Sequence, residues 1–152
     1  MNKNSVKKLI FIILILGCTA FIFSNSMKNG EESKMDSDFF MRIAEAIFGK
    51  ILPNNQVDWN FVVRKAAHLF EFCMLGISAV LLAIQIDKNR VITFGCAFLY
   101  AVLIAFADEF IQSFTGRSSK FTDVMIDITG AILGIAFVLL VDLIVSKRKN
   151  KS

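Results

Sequence analysis

Four long apolar runs constrain this chain more than any other feature in it. Phe72 to Ile86 and Val91 to Ala107 hold no charged residue. Val6 to Phe23 carries only Lys7 and Lys8 near its start, and Val124 to Val145 is broken only by Asp127 and Asp142. A helix that crosses a bilayer needs about 20 mostly apolar residues, within a range of roughly 17–25. The first, third and fourth runs meet that range. The second meets it when its helix starts near Leu69, which draws Glu71 to the interface. Soluble domains arrange their apolar residues in periodic stripes rather than blocks. With 55% hydrophobic residues, one proline and a mean hydropathy of +0.61, the sequence reads as an all-α integral membrane four-helix bundle. We expect one domain over residues 1–152, with spans near 6–23, 69–86, 91–107 and 124–145.

The basic residues orient the bundle. Lys3, Lys7 and Lys8 lie in the amino-terminal segment at the start of the first run, Lys88 and Arg90 sit in the short turn between the second and third, and Lys147, Arg148, Lys149 and Lys151 follow the fourth. Short positive segments stay cytoplasmic. The segment from Ser24 to Lys65 holds six basic and six acidic residues, so it exerts no such pull. Both termini are therefore expected inside a cell membrane crossed four times, and the 24–65 segment outside. The sequence pI of about 9.1 reflects this anchoring charge. It lies scattered at helix ends rather than gathered in a patch, which argues against nucleic acid as a partner. The start of the chain also has the form of a secretory signal, with Ile15-Leu16-Gly17-Cys18 resembling a lipoprotein cleavage box. However, the apolar run continues through Ala20-Phe21-Ile22-Phe23, which favours a retained helix. Cys18, Cys73 and Cys96 all fall in apolar runs without a Cys-x-x-Cys pair, as buried thiols do.

The outer segment carries its own helical signal. Ser37 or Asp38 can cap a helix to about Ile51, with Phe39, Phe40, Ile43, Ala46, Ile47 and Ile51 at amphipathic spacing. Such a helix can lie flat at the interface or pack over the bundle. Pro53-Asn54-Asn55 ends it. Asp58 can cap the next helix, putting Trp59 at headgroup level. A helix from Asp58 to Ile86 is about 43 Å long, so its first turns project beyond the hydrocarbon.

Polar side chains gather at the outer ends of these helices. Arg64, His68 and Glu71 stand at i, i+4 and i+7 and share a face. Asp108-Glu109 with Gln112 close the third run, and Gly116-Arg117-Ser118-Ser119 forms a polar turn. On the fourth run Asp123, Asp127, Gly130 and Gly134 follow one stripe, where the glycines permit close helix approach. Ionisable groups at membrane depth mark a candidate functional site. His68, Glu71, Asp108 and Glu109 are the candidates for catalytic chemistry. Arg64, Gln112, Arg117, Asp123 and Asp127 are the candidates for holding a substrate. Lys65 reads as an interfacial anchor, and Asp142 as a partner of Lys147 or Arg148. Tyr100 and the 16 Phe residues read as lipid-facing or packing groups.

Several elements together resemble the VanZ-like membrane proteins, a family named for an accessory glycopeptide-resistance protein. They are Arg64-Lys65-Ala66-Ala67-His68-Leu69-Phe70-Glu71-Phe72 with Leu75-Gly76, Asp108-Glu109 with Gln112 and Phe114, Gly116-Arg117, and Asp123-Val124 with Gly130. Phe23-Ser24 fits the same pattern. The likeness covers most of residues 20–135. Two departures are visible: Asp127-Ile128-Thr129 stands where the family usually reads Asn-Thr before the glycine, and Thr115 replaces a proline. The resemblance implies a bacterial membrane protein of the cell envelope. The founding member is associated with lowered sensitivity to teicoplanin, a lipid-bearing glycopeptide.

Three mechanisms suit these residues, alongside a purely structural reading. His68 can act as a general base oriented by Glu71 or Asp108, with Arg64 and Arg117 holding a phosphate of a membrane lipid or lipid-linked cell-wall precursor. The cluster can instead bind a head group or a membrane-protein partner (a second copy included) without chemistry, as a scaffold does. Proton or ion coupling through His68, Glu71 and Asp127 is the third, although no inverted repeat supports it. Salt bridges from Arg64 or Arg117 to neighbouring acids can simply lock the bundle. The sequence names no cofactor; a metal would bind His68 with carboxylates, although a single histidine is few nitrogen ligands for zinc.

Overall fold

The computed structural model describes residues 2–48, 58–115 and 120–149. Five helices form in chain order: α1 (Lys3–Ser26), α2 (Gly30–Phe48), α3 (Trp59–Ile86), α4 (Arg90–Phe114) and α5 (Phe121–Lys149). The helices α1, α3, α4 and α5 each contain a stretch long and apolar enough to cross a membrane, with mean hydropathies of 2.3, 2.1, 2.1 and 2.6. Each runs beyond the apolar block that announced it, because polar caps rather than the last apolar residue end the helices. Asn2 caps α1, Asp58 caps α3 through the Phe61 N–H, and Asn89 caps α4 through the Val91 N–H. An unpaired helix N-terminus leaves several donors without acceptors, and these side chains supply them.

The extramembrane helix starts earlier than Ser37 or Asp38. Asn29 and Glu32 form a reciprocal box: the Glu32 N–H donates to Asn29 Oδ1 at 2.9 Å, and the Asn29 N–H donates to Glu32 Oε2 at 3.2 Å. This pairing nucleates α2 at Gly30. Ser37 lies inside the helix and donates to the Ser33 carbonyl. Of the two arrangements the spacing allowed, α2 packs against α3. The expected end near Ile51 and the Pro53 break lie outside the described residues, and nothing is described of the Trp59 side chain.

The bundle is organised around α3 and α5, which share its largest interface. A Cβ at Gly130 would strike the Leu69 carbonyl, one at Gly134 the Cys73 carbonyl, and one at Gly76 the Ala131 backbone. The missing side chains therefore let two backbones touch, as small residues do between membrane helices. Phe72, Leu75, Val80, Ala131 and Ile135 fill the seam around them. Much of the remaining apolar surface is exposed, including Leu103, Phe110, Phe137 and Leu140. In water that would be a liability, whereas hydrocarbon solvates it. Tyr100 is more than a packing group: its hydroxyl meets the Thr19 hydroxyl at 2.8 Å and ties α4 to α1. At the end of the bundle near the termini, Arg90 pairs with Asp142 at 2.8 Å. The expected partners of Asp142, Lys147 and Arg148, are thus replaced by a residue from the start of α4.

Candidate functional site

Antiparallel packing brings the C-terminal ends of α1 and α4 together with the N-terminal parts of α3 and α5. Asp108 and Asp127 each sit about 9 Å below the neighbouring helix end, at 1.5 Å per residue. At that depth polar groups must satisfy one another, since no solvent competes for them.

One side of α5 forms a ladder against α3. Lys65 and Asp123 make an ion pair at the rim, and one turn deeper His68 Nδ1 stands 3.3 Å from Asp127 Oδ1. Below these the Leu69 and Cys73 carbonyls press on Gly130 and Gly134. The stripe of Asp123, Asp127, Gly130 and Gly134 thus faces a single neighbour, as its spacing implied. Lys65 departs from the expectation of a mere interfacial anchor, because Asp123 lies directly across the α3–α5 seam from it.

Asp108 brings α4 and α1 to the same point. It is fully buried, and His68 Nδ1 lies 3.9 Å from its Oδ2. Gln112, one turn along α4, donates from Nε2 to Oδ2 at 2.6 Å, and the Ser26 hydroxyl donates to Oδ1. Glu71, on the His68 face of α3, accepts from Asn25 Nδ2 at 2.8 Å. The arrangement therefore places His68, Glu71, Asp108, Gln112 and Asp127 together, and adds Asn25 and Ser26 from α1. Those two were not singled out in the sequence. Their signal is positional: Ser24-Asn25-Ser26 closes the first apolar run at the depth where Asp108 closes the third.

Glu109 takes a different course from its neighbour. Successive helical residues are about 100° apart, so Asp108 facing inward turns Glu109 toward α5. There its Oε2 accepts from the Lys120 N–H at 3.1 Å, which secures the connection between α4 and α5 rather than the cluster at His68. Arg117 and Gly116 lie outside the described residues.

Beside the cluster lies an open cleft of about 620 Å³ between α1, α2 and α3. Asn25, Arg64, His68 and Glu71 form its polar wall, while Phe21, Phe40 and Phe70 contribute apolar surface. The i, i+4, i+7 face of α3 is thus the wall of the cleft, and His68 borders both the cleft and the buried carboxylates. Arg64 has no ion-pair partner among the described residues, so the structural reading finds no Arg64 salt bridge there, and its side chain lines the cleft.

Four apolar helices around a buried polar cluster at one end define a multi-pass membrane protein. A family model described as VanZ/LLP1 matches residues 11–142, which places the chain in that family. No curated protein and no solved structure was found to match.

Proposed function

We propose that this protein acts at the outer face of the cell membrane, where its cleft receives the polar head of a membrane lipid or a lipid-linked cell-wall precursor. In its own cell it lowers sensitivity to lipoglycopeptides of the teicoplanin type. The observation that carries this reading is the mixed wall of the cleft. Arg64 offers a planar fork suited to phosphate, His68 and Glu71 supply polar contacts, and Phe21, Phe40 and Phe70 suit an acyl or prenyl chain. An amphiphile in the outer leaflet has this combination of chemistry. The placement of Lys and Arg supports cytoplasmic termini, which puts the cleft outside. His68 is the group best placed to exchange a proton with a bound head group, because it borders the cleft and also stands beside the buried acids.

Teicoplanin susceptibility in a sensitive host, at matched membrane abundance, tests the proposal. The wild type should protect, and His68→Ala and Glu71→Gln should not. Equal protection by all three would reduce the histidine and glutamate to scaffolding. A reporter fused within residues 24–65 should signal from outside the cell, and a cytoplasmic signal would overturn the assignment of the cleft to the outer face.

A further inference from the structure

Asp127 and Asp108 are both fully buried, yet their surroundings differ. Asp108 receives donors from Ser26 and Gln112. Asp127 receives none: neither carboxylate oxygen has a hydrogen-bond donor among the described residues, and His68 Nδ1, although 3.3 Å away, lacks hydrogen-bond geometry. The nearest lysine, Lys65, is held by Asp123. A sealed carboxylate without a donor is among the most costly arrangements in a membrane interior, and a second acid beside it compounds the cost. A dication would relieve both at once.

We propose that His68, Asp108 and Asp127 form a binding site for one divalent transition-metal cation of the zinc or manganese kind. One nitrogen and carboxylate oxygens from these three residues lie within 4.8 Å of one another. The 3.3 Å separation from His68 Nδ1 to Asp127 matches the edge of a coordination shell, and the 3.9 Å separation to Asp108 is a few tenths of an ångström longer, so Asp108 would move inward on binding. Metal–ligand bonds of 2.0–2.2 Å place adjacent ligands about 3–3.5 Å apart. The donor set favours this class of ion, since imidazole suits zinc and its neighbours while carboxylates also accept manganese. Magnesium and calcium prefer oxygen alone. Two carboxylates and a neutral imidazole around a dication sum to zero charge, which is what burial at this depth requires. Three helices contribute one ligand each, and Gln112 acts as a positioning residue by fixing the Asp108 carboxylate. Three protein ligands leave coordination positions open, as in catalytic rather than structural sites. His68 also borders the cleft; taking a head-group phosphate at an open position rests on the reading above, whereas the metal site itself does not.

The full chain, purified in detergent and stripped with a chelator, is equilibrated with zinc or manganese, desalted and assayed for metal per chain and for unfolding temperature. The wild type should retain about one equivalent and unfold at a higher temperature when loaded. Asp127→Asn and His68→Ala should bind at least about tenfold more weakly, in line with the loss of a ligand, and Asp142→Asn should bind as the wild type does. Without metal, Asp127→Asn should unfold at or above the wild-type temperature, because it removes a buried carboxylate that has no hydrogen-bond donor among the described residues; its loss of metal is then not a loss of fold. Folded wild type that retains neither metal, or retention undiminished in Asp127→Asn, would overturn the site. Metal retention is measured independently of drug susceptibility, so either proposal can fail without the other.

Discussion

At the end of the bundle where the termini emerge, Arg90 and Asp142 meet at 2.8 Å with 45% of each side chain exposed. At the opposite end His68 contacts two carboxylates whose side chains are 0% exposed. The residue types are similar, but the physics is not. The exposed pair keeps its hydration and contributes little to folding. The buried group has surrendered hydration, and Asp127 recovers no hydrogen bond for it. A charge cluster sealed inside a membrane bundle at that cost points to use, while the exposed pair points only to closure of a turn.

The largest effect that could break this comparison comes from the scaffold beneath the cluster. Gly134→Ala puts a methyl group against the Cys73 carbonyl and should destabilise the bundle by about 1–3 kcal/mol. Gly95→Ala meets nothing within 4 Å and should be neutral or stabilising by up to about 1 kcal/mol. Thermal unfolding in detergent compares the two, and equal effects would mean that α3 and α5 do not touch as described. Next in size, Asp108→Ala strands the Gln112 donor, while the Ser26 hydroxyl keeps the Ile22 carbonyl, and should cost about 1–3 kcal/mol in the same measurement. Lys65→Met leaves the largely buried Asp123 carboxylate without its cation and should cost a comparable amount, about 1–3 kcal/mol. Asp142→Ala should change stability least, by about 0–1 kcal/mol. A larger loss at Asp142 than at Asp108 would invert the comparison.

The spans, the cap at Asp58, the shared face of Arg64, His68 and Glu71, and the Asp123–Gly134 stripe were legible because each follows from a single helix's composition or period. What escaped depends on more than one helix, or on short polar pairs. The Asn29–Glu32 box moved the start of α2 because two local side chains outweighed the amphipathic pattern that begins later. Lys65 was misjudged because its value depends on Asp123 standing across a seam that only the glycines of α5 make narrow. Asn25 and Ser26 look like an ordinary helix end until α1 is laid beside α3 and α4. Glu109 looked equivalent to Asp108 by composition, and one residue of helical rotation separates their roles.

The most direct test sets the two ends of the bundle against each other in the cell. Teicoplanin susceptibility is measured in a sensitive host expressing the wild type, Asp127→Asn or Asp142→Asn, with membrane levels matched. The account predicts protection by the wild type and by Asp142→Asn, and its loss in Asp127→Asn. Undiminished protection by Asp127→Asn would contradict the claim that the buried cluster serves the function.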